Sequence, residues 1–201
     1  MADAQPAVYL ARHGETAWSL SGQHTGLTDL PLTERGIAHA HMLGARLRRY
    51  SFEKVYTSPL QRAHHTCTLA GFGERAEIDP DLVEWNYGDY EGKKNAEIQQ
   101  LAPGWVLFRD GVPNGESVAE VTARADRVIG RLRAHAGNVL LFSSGHFLRC
   151  LAARWLGFPL LYARNFLLST SSLSILSYDH NRDEPAIKLW NDTSHLDVHL
   201  V

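Results

Sequence analysis

The stretch "NVLLFSSGHFLRC", residues 138–150, contains the transition that decides the fold class. Its first half is continuously apolar, which is typical of a strand covered on both faces of a sheet. Its second half begins an amphipathic helix at about Gly145, and Gly157 and Pro159 are the predicted stop. A buried strand that runs directly into a helix indicates a layered α/β protein with parallel strands.

Further strand-like runs lie on both sides of this stretch. Residues 7–11, 54–57 and 76–79 are predicted strands before it, and "SSLSILSYD" and "AIKLWND" follow it with enough alternation for an antiparallel edge. The pattern predicts a three-layer αβα sandwich with a mostly parallel central sheet and one antiparallel edge strand.

Capping residues predict where the intervening helices begin. Thr33 is the predicted N-cap of the first long helix. Ser58 is the predicted N-cap of the next, with Pro59 at its first position. Ser117 and Glu120 form a capping box that opens a third helix.

The chain contains no internal repeat and no linker-like run, so we expect one domain over residues 1–201. A segment at about 85–116 is rich in glycine and aromatic residues and is predicted to form a lid with one short helix. Trp105, Phe108 and Trp155 are interpreted as packing residues and not as stacking platforms for a ligand.

Charge and composition exclude several functional classes. Twenty basic residues face 22 acidic ones, for a net charge of −2 without a basic block, so we expect no nucleic acid and no membrane as partner. No apolar stretch approaches the roughly 18 residues of a membrane span, and the N-terminus lacks signal-peptide features. Cys67 and Cys150 are expected to be free thiols, and the location to be cytoplasmic.

The residues after the predicted parallel strands point to one candidate site, because ligands of open α/β sheets bind outside the carboxyl ends of the strands. These residues are Arg12, His13, Ser58, Arg62, Glu84, Ser143, Ser144 and His146. The combination predicts an anion pocket with a nucleophile and a proton donor. The histidine pairs at 39/41 and 64/65 lack a carboxylate or cysteine at ligand spacing, so no metal site is predicted.

The motifs "ARHGET", "TSPLQRAHHT" and "EWNYGDYEG" resemble those of the histidine phosphatase (phosphoglycerate mutase-like) superfamily. The resemblance covers nearly the whole chain and is nearest to the branch of sedoheptulose-1,7-bisphosphatase, through "WSLSGQHTGLTDLPLT", "FRDGVPNGES", "GHFLR" and "LSYDHNRDEPAIKL". It implies a metal-independent phosphomonoesterase without a cofactor. The implied substrate is a small phosphorylated metabolite, such as a sugar phosphate or a bisphosphate like sedoheptulose-1,7-bisphosphate.

The resemblance also implies a role for each motif residue. His13 would attack phosphorus and carry the phosphoryl group as phosphohistidine, while Arg12 and Arg62 would hold its oxygens. Glu84 would act as the general acid and then as the base that activates water. The helix N-terminus after Ser144 would add backbone N–H donors to the phosphate. Substrate contacts are implied for Ser19, Gln23, Thr25, Ser58, Tyr87, Ser144, His146 and Arg149.

Two positions depart from the family pattern. Ser19 stands where members usually carry an asparagine that contacts phosphate. Ser144 stands where the family carries its second catalytic imidazole, immediately before Gly145. His146 matches the other histidine of that motif, which is implied to contact substrate. Losing one charge-stabilising donor costs about 10²–10³ in rate.

Three functions stay open at this point. The first is the phosphatase, and the second is a phosphoglycerate mutase, ranked lower because the segment between Glu84 and Ser117 is short. The third is an impaired phosphosugar-binding variant, because Ser144 replaces an imidazole. The oligomeric state stays open as well.

Overall fold

A computed structural model describes residues 5–196. Six strands form one sheet in the spatial order β3-β2-β4-β1-β5-β6. Their bounds are β1 Val8–Arg12, β2 Lys54–Thr57, β3 Ala76–Ile78, β4 Val139–Ser143, β5 Leu173–Tyr178 and β6 Pro185–Asp192. Strands β1 to β4 are mutually parallel, β5 is antiparallel to β1, and β6 is antiparallel to β5. The predicted mostly parallel sheet with an antiparallel edge is confirmed, and the strand that runs the other way is β5, covered by β6.

Helices fill the connections between the strands. The α-helices are α1 Ala17–Ser21, α2 Glu34–Leu47, α3 Gln61–Leu69, α4 Asn95–Leu101, α5 Leu107–Asp110, α6 Val118–Arg133 and α7 Gly145–Trp155. Short 3₁₀ turns lie at Gly73–Arg75, Pro80–Leu82, Gly88–Tyr90 and Leu160–Asn165. None of the helices between residues 5 and 196 is long and apolar enough to cross a membrane.

The central strand β4 explains the three layers. All five of its residues are buried, as its continuous apolar run predicts. Val139 and Leu141 belong to one apolar cluster, which includes residues of α6 and α7. Leu140 and Phe142 point to the opposite face and join a second cluster with residues of α2 and α3. Successive side chains alternate between the faces, so one strand anchors both helical layers.

Two of the three predicted helix caps are confirmed. The side chain of Thr33 accepts a hydrogen bond from the Gly36 amide at 3.0 Å, and Ser117 forms the predicted capping box with Glu120. The predicted N-cap at Ser58 is wrong.

Helix α3 begins at Gln61 because a distant loop caps it. The Gln61 amide donates to Asp29 Oδ1 at 2.8 Å, whereas Ser58 Oγ accepts only from the Leu60 amide, at 3.3 Å. A carboxylate from 32 residues upstream has taken the capping role, which no local pattern reveals.

The segment at 85–116 contains two short α-helices, α4 and α5, where one was expected. Trp105, Phe108 and Trp155 are buried, which confirms them as packing residues. The Trp105 indole N–H is satisfied by the Gly111 carbonyl at 2.8 Å. Whether the segment moves as a lid stays a prediction.

Candidate active site

The carboxyl ends of the parallel strands meet at one cavity of about 170 Å³. Arg12 at the end of β1 lies beside Ser143 at the end of β4, and the His13 amide donates to the Ser143 carbonyl at 3.0 Å. The cavity wall consists of Arg12, His13, Ser19, Gly22, Gln23, His24, Thr25, Glu84, Tyr87, Gly145, His146, Arg149 and Leu168. Most of the predicted site residues are therefore together in one wall.

Four residues of the predicted site do not line the wall. They are Ser58, Arg62, Ser143 and Ser144, and all four are fully buried. The wall also includes residues that sequence reasoning missed, above all His24, whose neighbours in "QHT" were both predicted.

His13 is set up as a neutral nucleophile. Its ring is 4 % exposed, and Nδ1 lies 2.7 Å from the Gly14 carbonyl oxygen. Because that oxygen can only accept, Nδ1 carries the hydrogen and Nε2 keeps its lone pair. Burial first, and then the charges of Arg12 and Arg62, hold the pKa of His13 well below its ordinary value of 6.5. Near neutral pH the ring is therefore uncharged, with Nε2 available to a ligand.

The turn that carries His13 is packed from two sides. The Gly14 amide donates to Thr66 Oγ1 at 2.9 Å, so helix α3 supports the turn. A Cβ at Gly14 would lie only 2.6 Å from the Gly36 carbonyl oxygen. Glycine is required here because helix α2 approaches so closely.

Arg12 places its guanidinium against the beginning of α7. Nη1 donates to the Leu168 carbonyl, and Nε is buried with no hydrogen-bond partner within residues 5–196. A Cβ on Gly145 would lie 3.1 Å from both Cζ and Nε of Arg12. Gly145 therefore gives Arg12 its place in the wall, and Nε remains a donor for an anion.

Arg62 does not reach the wall as the resemblance implied. Nη1 donates to the Thr28 carbonyl at 3.0 Å, and Nη2 donates to the Gly26 and Thr25 carbonyls at 2.7 and 3.2 Å. Nε is buried and has no partner among the described residues. The loop carbonyls compete for the donors that were expected to grip phosphate. In this arrangement Arg62 acts on His13 through its charge.

Glu84 occupies the N-terminus of α7, which was expected to face the phosphate. Oε1 accepts from the amides of Trp85 and Phe147 at 2.9 and 2.7 Å, and Oε2 accepts from the His146 amide at 2.9 Å. The amides of His146 and Phe147 are therefore taken by the carboxyl group and not left for phosphate, whereas a contact of the Gly145 amide with phosphate stays a prediction. Oε2 receives only one of the three bonds, so it has room to give or take a proton in the wall.

The Ser144 side chain makes none of the hydrogen bonds that an imidazole at this position would offer to a phosphate. It is the N-cap residue of α7, yet its side chain makes no capping bond. Its Oγ is buried and has no partner in the part of the chain that is described. Ser144 is not among the residues of the wall, and its contact with substrate stays a prediction.

His146 belongs to a cluster of rings on the other side of the cavity. Its Nδ1 is hydrogen-bonded to the Tyr87 hydroxyl, and its ring stacks on His24 with 5.8 Å between centroids and 16° between planes. Burial first, and then Arg149, His24 and Arg12, hold the pKa of His146 well below 6.5. Burial raises the pKa of Tyr87 well above 10.0. Both groups are therefore neutral, and the wall here offers hydrogen bonds without charge.

Arg149 supplies the second cation of the wall. Nε donates to the Ala163 carbonyl and Nη2 to the Arg164 carbonyl, both at 3.0 Å. The guanidinium carbon lies 4.7 Å from the centre of the Phe108 ring. Nη1 is the nitrogen left for a ligand once these contacts are made.

The remaining predicted contacts line the wall, but their polar groups are already engaged. Ser19 Oγ accepts from the Thr16 amide at 2.9 Å and donates to the Thr16 carbonyl at 3.0 Å. Gln23 Nε2 donates to the Gly92 carbonyl at 2.8 Å. Thr25 Oγ1 makes only a 3.4 Å bond to the Gln23 carbonyl. The threonine hydroxyl is the easiest of the three to redirect to a ligand.

Glu84 is the one acidic side chain of this wall, which suits an anion better than a metal ion. Possible metal ligands among residues 5–196 come together elsewhere, at the exposed turn between β5 and β6, where Asp179, His180 and Glu184 bring one ligand atom each within 4.8 Å of one another. Because β5 runs antiparallel to β1, this turn lies at the amino ends of the parallel strands, away from the cavity at their carboxyl ends.

Residues 8–193 match the histidine phosphatase superfamily (branch 1). The chain belongs to that superfamily. The predicted family and the prediction of an enzyme of that family are therefore confirmed.

Similar proteins of known name align with nearly the whole chain. An acid phosphatase of Mycobacterium tuberculosis is 38 % identical over 182 residues, 89 % of each chain. The sedoheptulose 1,7-bisphosphatase of Saccharomyces cerevisiae is 33 % identical over 94 % of each chain. The solved structure of an open reading frame from Mycobacterium tuberculosis superposes with a TM-score of 0.88 at 35 % identity, covering 92 % of this chain and 97 % of the other.

Proposed function

We propose that this histidine phosphatase hydrolyses a phosphate monoester of a small metabolite through a phosphohistidine on His13. The observation that carries the proposal is the neutral His13 ring, with its hydrogen held on Nδ1 by the Gly14 carbonyl and its Nε2 free in a cavity wall with two arginines. The names of the relatives, an acid phosphatase and a sedoheptulose 1,7-bisphosphatase, support the same reaction type.

In the first step, Nε2 of His13 attacks phosphorus and forms an N–P bond as the P–O bond to the leaving group breaks. The electron pair of the broken bond goes to the leaving oxygen, which takes a proton from Glu84. In the second step, Glu84 takes a proton from water, the oxygen of that water attacks phosphorus, and the N–P bond breaks. Phosphate is released and His13 is neutral again.

Arginine side chains would stabilise the negative charge of the phosphoryl group during transfer. The phosphoryl oxygens carry the negative charge in the transition state. Arg12 Nε is a buried donor without a partner among the described residues, and an anion at His13 would give it one, while Arg62 would act through its charge from behind the wall. Because these cations supply the charge, the proposed reaction is independent of metal and of cofactor.

The wall supports a polyol or sugar as the carrier of the phosphate. Arg149 lines the same cavity and would bind a second anionic group, while the rings of His24 and His146 would face hydroxyl groups. A sugar bisphosphate such as sedoheptulose-1,7-bisphosphate fits this combination of groups. We propose it as the first substrate to test.

The experiment is rapid quenching of the enzyme with ³²P-labelled sugar phosphates in the presence of EDTA. We expect an acid-labile label on the wild-type protein and none on His13→Gln. Turnover without a label, and unchanged in His13→Gln, would contradict the proposal. Isomerisation of phosphoglycerate that depends on a bisphosphate primer would instead identify the mutase.

A second candidate function is supported by Ser144. Its buried, unpaired hydroxyl leaves the phosphoryl group without the second imidazole of the family. We infer slow turnover, with the pocket serving largely for phosphosugar binding. The test is Ser144→His, for which we expect kcat to rise about 10²-fold, the worth of one charge-stabilising donor. An unchanged kcat would mean that the rest of the wall has taken over the role of the imidazole.

A further inference from the structure

An ion pair between a buried arginine and a partly buried glutamate lies next to Glu84, and the proposed reaction does not use it. Arg124 in α6 is 5 % exposed. Its Nε and Nη2 donate to the two carboxylate oxygens of Glu116, each at 2.8 Å. This parallel, two-bond geometry is the most directional form of an arginine–carboxylate pair.

The remaining donors of Arg124 bind the backbone that leads to Glu84. Nη1 donates to the carbonyls of Asp81 and Val83 at 2.8 and 2.7 Å, and Nη2 lies 3.4 Å from the carbonyl of Glu84 itself. All of the guanidinium nitrogens are therefore engaged, and three of the contacts fall on the four residues that end at Glu84.

Glu116 holds the backbone on the other side of Glu84. Its Oε2 accepts from the Asn86 amide at 2.9 Å, and its own amide donates to the Asn86 carbonyl at 3.0 Å. Its carbonyl accepts from the Trp85 indole at 2.8 Å. The ion pair thus grips the chain immediately before and immediately after the proposed general acid.

The same arginine also touches the partner of the Glu84 carboxyl group. The guanidinium carbon of Arg124 lies 4.3 Å from the centre of the Phe147 ring, and the Phe147 amide donates to Glu84 Oε1. Arg124 therefore contacts both the backbone that carries Glu84 and the residue that receives its side chain.

We propose that Arg124, through Glu116, is a positioning residue that sets the place of the Glu84 carboxyl group for proton transfer. The inference rests on the proposed function, because it assigns Glu84 the role of general acid. A buried ion pair is on average no more stabilising than apolar residues of the same shape, so stability alone does not account for it. Placement of the Glu84 carboxyl group does account for the ion pair, because a general acid must lie within hydrogen-bond reach of the leaving oxygen.

The test uses the leaving group as its readout. An alkyl phosphate such as glycerol phosphate needs a proton from the general acid, whereas p-nitrophenyl phosphate releases a stable anion and needs little help. For Arg124→Lys we expect kcat/KM to fall about tenfold with glycerol phosphate, which is part of the roughly 10²–10⁴-fold that a general acid supplies, and to fall far less with p-nitrophenyl phosphate. Equal losses on both substrates would overturn the inference.

A double-mutant experiment separates positioning from a general loss of structure. If Arg124 acts through Glu84, Arg124→Lys should cost nothing more in a Glu84→Gln background. A structural defect would lower activity in both backgrounds and would overturn the inference. Glu116→Gln, which keeps shape and removes the charge, should repeat the leaving-group effect.

Arg127 provides the matched control. It lies one turn away in α6, is mostly exposed, and binds the Asp81 side chain at 2.9 Å without touching the backbone at 83–86. Arg127→Gln should leave the ratio between the two substrates unchanged. The proposed function is judged by the phosphohistidine label on wild-type protein. This inference is judged by how the ratio of kcat/KM between the two substrates changes from variant to variant, so each can fail alone.

Discussion

Replacing Gly145 with alanine is expected to lower activity without lowering stability. The new methyl group would press on Arg12, whereas alanine is a better helix former than glycine at this position of α7. The added Cβ would lie 3.1 Å from Cζ and Nε of Arg12. Carbon contacts are optimal at about 3.5–4.0 Å, so the guanidinium must move by about 0.5 Å. A misplacement of 1 Å costs about 10²-fold in rate. We therefore expect kcat/KM to fall about tenfold.

Stability should change in the opposite direction or stay constant. Alanine is favoured over glycine within a helix by up to about 1 kcal/mol. The measurements are kcat/KM with p-nitrophenyl phosphate and thermal unfolding followed by circular dichroism.

Gly130 is the matched control for this substitution. It lies in α6, and an added Cβ meets no atom within 4 Å. Gly130→Ala should gain stability and keep full activity. If Gly145→Ala behaves in the same way as Gly130→Ala, or loses activity only as it unfolds, the proposed contact between residue 145 and Arg12 has no catalytic meaning.

Three further predictions concern pH, thiols and the support of the catalytic turn. The depressed pKa values of His13 and His146 mean that the unfolded imidazoles bind protons that the folded ones do not, so their effect on the urea midpoint should be absent above about pH 6.5 and should lower the midpoint progressively below it. Burial raises the pKa of Cys67 to about 12 and that of Cys150 well above 9.0, so neither thiol should react with a disulfide reagent until the protein unfolds. Thr66→Val leaves the buried Gly14 amide unpaired, which should cost about 1–3 kcal/mol and lower kcat.

Each of these predictions has its own control. His146→Gln should make the fall below pH 6.5 shallower, and an unchanged slope would show that other groups cause it. For the cysteines, the control is the unfolded protein, in which both thiols should react with the reagent. Rapid labelling of the native protein would contradict the burial of the cysteines. Thr68 also lies in α3 and bonds only the His64 carbonyl of its own helix. Thr68→Val should therefore be nearly neutral, and a loss equal to that of Thr66→Val would refute the role of the Gly14 contact.

The local pattern of the chain was sufficient for the layers and the position of the site. Burial of β4 on both faces follows from its uninterrupted apolar run, and the helix starts at Thr33 and Ser117 follow from side chains that cap amides three residues away. The grouping of Arg12, His13 and Glu84 follows from parallel strands ending at one edge of the sheet. These are short-range or topological consequences of sequence, which is why they could be predicted.

Contacts between distant segments decided the rest. Asp29 moved the start of α3 away from Ser58, and loop carbonyls took the donors of Arg62. His24 reached the wall by stacking on His146, and β6 covered the antiparallel strand. No spacing within a single element encodes such contacts, because each depends on which of several acceptors or rings lies nearest after folding.

The stretch at 138–150 shows the division most clearly. Its sequence alone determined a buried strand, a helix start at Gly145 and the absence of an imidazole at Ser144. Only the tertiary structure decided that the amides at that helix start bind Glu84 and that the serine hydroxyl is sealed behind the wall. The physical reason is competition: a helix N-terminus binds whichever anion the fold brings to it, and here the fold supplies a carboxylate of its own.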